Sequence, residues 1–122
     1  MKKSKPVTLG HFEQLVLSAV LALNGKDSYG LKIQDKTSEF AEKEVNLGSV
    51  YVTLERLEMK GLVVTAELSE TRPEPGGKRR RIYQITPEGQ TVLSESLQAS
   101  VRAYEATESF WEKLWKLGRR RV

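Results

Sequence analysis

Apolar residues recur along this chain at helical spacings of three and four, except in one central stretch where the period shortens. Phe12, Leu15, Val16, Ala19, Val20 and Leu23 predict a first helix over residues 9–23, ended by Asn24-Gly25. Asp27 or Ser28 can cap a second, running through Tyr29, Leu31, Ile33 and Gln34 to about residue 37, with Phe40 and Ala41 either continuing it or joining the connection. Asn46 is the expected cap of a third helix. Its buried stripe is Leu47, Val50, Leu54 and Leu57, and Gly61 stops it. Residues 62–67 then read as a β-branched strand and 80–85 as an imperfectly alternating partner. The segment between holds two prolines and two glycines, a long turn. Thr86-Pro87 starts another helix, with a hydroxyl cap and proline at its first position.

That last helix can run to about residue 116, some 45 Å at about 1.5 Å per residue. Leu93, Leu97, Val101, Tyr104, Trp111 and Leu114 form a stripe that the rest of the chain is too short to cover. A second copy of the same helix is the simplest cover, which predicts a twofold homodimer; folding back onto the first helix is the alternative. The fold class is therefore mainly α with a two-stranded β wing. A basic arm (1–7) precedes a winged helix-turn-helix domain (8–86), a dimerisation helix (87–118) and a basic tail (119–122).

A helix followed at once by a ribbon with a cationic tip suits a DNA groove and its neighbouring backbone. Gly48 lets the backbone approach a phosphate closely. Ser49 and Thr53 offer hydroxyls, and Val52 and Thr53 offer methyl groups for thymine. Tyr51 belongs to the same turn, where it either meets DNA or packs against the wing. Tyr29, near Lys26 and Lys32, either donates to a phosphate or packs with a wet hydroxyl. Lys78, Arg79, Arg80 and Arg81 form the wing cluster, split onto two faces by strand alternation.

Charge sharpens this picture. The chain has 122 residues and a net charge of +4. Residues 7–90 are almost balanced, so the excess lies at the two ends and in the wing, as expected for a partner touched at defined points. No apolar run reaches the roughly 18 residues of a membrane span. With no cysteine, a reducing, cytoplasmic setting is expected. The lone His11, the lack of a metal-ligand cluster and the wrong glycine spacing around Gly76-Gly77-Lys78 argue against an enzyme, a metal and a nucleotide cofactor.

The ordered set Leu9-Gly10, Phe12-Glu13, Ser28-Tyr29-Gly30, Leu47-Gly48-Ser49-Val50-Tyr51, Leu54-Glu55-Arg56-Leu57, Lys60-Gly61-Leu62-Val63, Arg80-Arg81-Ile82-Tyr83 and Ile85-Thr86-Pro87-Glu88-Gly89 resembles the PadR family of bacterial transcriptional regulators. The resemblance spans residues 9–97 and implies a homodimeric repressor on double-stranded DNA, often controlled by a small molecule. The single C-terminal helix resembles the compact branch of the family, although the chain after Tyr104 departs from its pattern. Trp111 and Trp115, one helical turn apart, either sandwich a planar hydrophobic ligand between subunits, as in some PadR relatives, or pack in the dimer core. Two rival readings are a winged-helix module for acidic protein partners and an RNA-binding protein, for which Tyr83 is the one obvious stacking residue.

Overall fold

The computed structural model describes residues 8–67 and 81–120. Three helices come first: α1 (His11–Leu23), α2 (Gly30–Ala41) and α3 (Leu47–Met59). Strands β1 (Val63–Glu67) and β2 (Arg81–Ile85) follow, then α4 (Pro87–Ala106) and α5 (Glu108–Arg120).

Local signals set most of the boundaries. Asn24 and Gly25 take positive φ and end α1. Gly61, at φ +79, ends α3 while the Leu62 amide reaches back to the Leu57 carbonyl. At the start of α1, Gly10 has no side chain to cap with. The Glu13 carboxylate instead accepts from the Gly10 amide at 2.8 Å and pairs with Lys60 Nζ at 2.9 Å, tying α1 to the end of α3. Partial burial raises the Glu13 pKa, but the Gly10 amide and Lys60 outweigh it and leave the carboxyl below its usual range.

The two strands pair antiparallel, from Val63 opposite Ile85 to Glu67 opposite Arg81. A third segment joins them. Tyr29 bridges Ile82, the Tyr83 amide donates to the Ser28 carbonyl at 2.9 Å, and the Ser28 hydroxyl donates to the Tyr83 carbonyl at 2.7 Å. Ser28 is thus a buried sheet residue and not a helix cap, and Tyr29 takes the N-cap position without a side-chain bond. The expected Asp27 or Ser28 cap fails because the backbone there belongs to the sheet edge.

The core gathers Val16, Leu17, Val20, Ile33, Val50, Leu54, Leu57, Leu62 and Leu93. Thr86 locks α4 onto it. Its hydroxyl accepts from the Gly89 amide and donates to the Gly61 carbonyl, and its amide donates to the Leu62 carbonyl.

The C-terminal segment departs from the single helix expected. It divides at Thr107, whose backbone (φ −111, ψ 9) leaves the helical region. The Thr107 hydroxyl turns back to the Ala103 carbonyl at 3.0 Å, and the Trp111 indole donates to it at 2.7 Å. A threonine hydroxyl bonded within its own turn bends helices. The two ways of covering the stripe also divide. Leu93 is 1 % exposed inside its own protomer, and Ser96 bonds Gln14 of α1. From Leu97 onward the stripe is open apart from the partly covered Trp111, with Val101, Tyr104 and Leu114 about half exposed. Leu93 is therefore a core residue and has no surface left for a partner.

Candidate nucleic-acid interface

Helix α3 buries Val50, Thr53, Leu54 and Leu57, leaves Leu47 half-buried and turns the rest outward. Asn46 caps it, its side-chain oxygen accepting from the Ser49 amide at 2.9 Å. Gly48, Ser49, Tyr51 and Val52 are exposed on the first turns, as the sequence predicts. Thr53 is not: at 4 % exposure it lies inside the buried stripe and has almost no surface to present to a ligand. Helical arithmetic carries the signal, because position 53 is three after Val50 and four before Leu57.

The outward face changes character along its length. Its first two turns carry no charge, whereas Glu55 and Glu58 stand further along on the side nearest the sheet. Carboxylates there repel a phosphate backbone. The exposed Arg56 offsets them in part, and the uncharged amino-terminal end of α3, with its positive dipole end, suits close approach to a polyanion.

The sheet stands beside this helix. Thr65 Oγ1 meets Glu58 Oε2 at 3.4 Å, and strand alternation puts Arg81 and Tyr83 on the same sheet face as Thr65. Burial raises the Tyr83 pKa; Arg81 opposes that, while Tyr51, Glu58 and Glu55 add to it. Tyr83 is thus a neutral, nearly buried phenol under the ribbon and not an open stacking platform. Arg81 is exposed at the start of β2. Lys78, Arg79 and Arg80, like the arm at 1–7, lie outside the described residues. Tyr29 is half-buried at the sheet edge, on the far side of β2 from β1.

Two further features surround this face. A groove of about 470 Å3 runs between α1 and α4, floored by Leu21, Leu93, Leu97 and Val101. The indoles do not line it. Trp111 is partly covered and packs edge-on with Phe110, ring centres 5.1 Å apart, while Trp115 is open on α5. No helix among the described residues is long and apolar enough to cross a membrane.

Three helices, an exposed capped turn on the third and a ribbon hinged beside it define a winged helix-turn-helix protein. The chain belongs to the PadR-like family of transcriptional regulators, whose family model matches residues 19–95. An uncharacterised protein of Lysinibacillus sphaericus is 30% identical over 107 residues, covering 86% of this chain and 92% of that one. The transcriptional regulator Rv3488 of Mycobacterium tuberculosis is 44% identical over 55 residues, 45% of this chain and 47% of that protein. A PadR family regulator from Clostridium difficile superposes with a TM-score of 0.64 at 26% identity, covering 84% of this chain and 99% of that one. The chain is accordingly a DNA-binding transcriptional regulator and not an enzyme. The family match ends inside α4 and does not include α5.

Proposed function

We propose that this regulator is a cytoplasmic repressor that binds a palindromic operator as a homodimer. The observation that carries the reading is the uncharged, exposed first turn of α3, with Arg81 exposed at the start of β2 and an open apolar stripe on α4 and α5. In this reading Gly48, Ser49 and Val52 enter the major groove, Tyr51 meets the DNA backbone beside the start of α2, and Lys78, Arg79, Arg80 and Arg81 reach the flanking phosphates. Thr53 supports α3 from behind. Tyr29, at the start of α2, lies toward the backbone. The partner's stripe covers Leu97, Val101, Tyr104, Trp111 and Leu114. A twofold dimer then sets its two reading helices about one DNA turn apart, on the order of 34 Å.

Sequencing of duplex fragments retained by the purified protein, followed by footprinting, tests this; a single unpaired half-site is incompatible with it. Replacing Arg79, Arg80 and Arg81 with alanine is expected to weaken binding to all sequences alike. Each lost phosphate contact lowers the log–log salt slope by about 0.9. An unchanged slope means that the wing does not touch the backbone. Release by a planar hydrophobic molecule stacked on Trp111 and Trp115 fits two indoles one turn apart. Tryptophan quenching by such compounds, with no change in DNA affinity, would remove that part of the proposal.

A further inference from the structure

Gly30 opens α2 and is buried, yet its backbone does not require glycine, since its φ is not positive. What it supplies is space. A Cβ built on Gly30 overlaps Oη and Cζ of Tyr51, so the end of that phenol occupies the volume where a side chain would stand. Glycine is a poorer helix former than alanine, so the slot is kept at some expense to α2. Tyr51 remains 45% exposed, and among the described residues no hydrogen bond engages its hydroxyl. The tip of the phenol therefore lies in the space that Gly30 leaves, and its donor stays available.

We propose that Gly30 is a positioning residue for DNA recognition. The slot fixes one rotamer of Tyr51 and presents its hydroxyl at the start of α2, where it donates to a backbone phosphate. This rests on the reading of α3 as the DNA-facing helix. Helix α2 is the first helix of the helix-turn-helix, the one that crosses the backbone, so the contact positions the protein without reading sequence. Holding the ring before binding spares the cost of ordering it on the duplex.

The test begins in the free protein. Ring currents from Tyr51 should shift the Gly30 α-protons in the NMR spectrum, and Tyr51→Ala should abolish that shift. Binding is then titrated on the selected duplex and on a scrambled one. Gly30→Ala should bind both about tenfold more weakly, the scale of one lost hydrogen bond to a charged group. Its unfolding midpoint should be unchanged or raised, because the displaced phenol can swing into solvent. Tyr51→Phe, which keeps the ring and fits the slot, should lose as much on both duplexes. Gly30→Ala added to Tyr51→Ala should cost nothing more. Wild-type binding by Gly30→Ala or Tyr51→Phe, additive losses in the double variant, or a loss confined to the selected duplex would each overturn the proposal. A wild-type protein that retains no duplex at all overturns the functional reading as well, and that is seen before any variant is compared.

Discussion

Gly89→Ala is expected to destabilise the protein by about 2–3 kcal/mol, the range for forcing an extra carbon into a packed site. Gly89 lies in the first turn of α4 and is buried. A Cβ there would overlap the Leu62 carbonyl oxygen and come within 2.8 Å of Ile85 Cγ1. The obstacle is backbone, held by the Thr86 amide, so it cannot swing aside as a side-chain tip can. Helix propensity alone predicts the opposite sign, since alanine is favoured over glycine by about 1 kcal/mol in an exposed helix. The steric term is larger and decides the outcome. Gly118 is the internal comparison: among the described residues nothing beyond its own stretch of helix lies within 4 Å of its Cβ position, and alanine there should carry only the propensity gain. Urea denaturation of the two variants checks both signs. A Gly89→Ala protein as stable as wild type would mean that α4 can lift from Leu62 without loss.

Joint replacement of Leu97 and Val101 by glutamate is expected to turn the proposed dimer into a monomer and to reduce operator affinity by about 100-fold or more, the scale of losing a linked second site. Both residues are open in the protomer, at 39% and 53% exposure, so the intrachain core is not the target. Two carboxylates from each subunit would face each other across the twofold seam, and unpaired buried charge is strongly unfavourable. Sedimentation equilibrium and duplex titration measure the two effects. A variant that stays dimeric places the seam elsewhere, and a monomer that binds the duplex at wild-type affinity removes the need for a palindrome.

These predictions divide along the line between local and distant information. Asn46, Thr86-Pro87, Asn24-Gly25 and Gly61 mark element ends by hydrogen bonds and backbone angles within a few residues. Their boundaries are therefore legible in the chain: α3 and α4 start, and α1 and α3 end, within two residues of where those signals put them. The exposed turn of Gly48, Ser49, Tyr51 and Val52 is legible for the same reason, because helical periodicity separates it from Val50 and Leu54. Thr53 was open to the same arithmetic, but a hydroxyl invites an outward assignment that position overrules.

Residues whose role depends on a distant partner were not legible. Ser28 has the composition of a cap, and only the arrival of β2, 55 residues later, makes it a sheet residue. Leu93 and Leu97 occupy equivalent places on one stripe, and α1 covers the first and leaves the second open. Gly30 and Gly89 look like unremarkable helix-start glycines until Tyr51 and the Leu62 carbonyl are seen filling the space beside them. The sequence by itself determined the order of elements as far as α4, the ends of α1 and α3, the start of α4 and the family, because each rests on short-range backbone chemistry or on residue order. The tertiary structure alone decided which apolar and small residues are covered, because burial is a property of the neighbour that arrives and not of the residue that receives it.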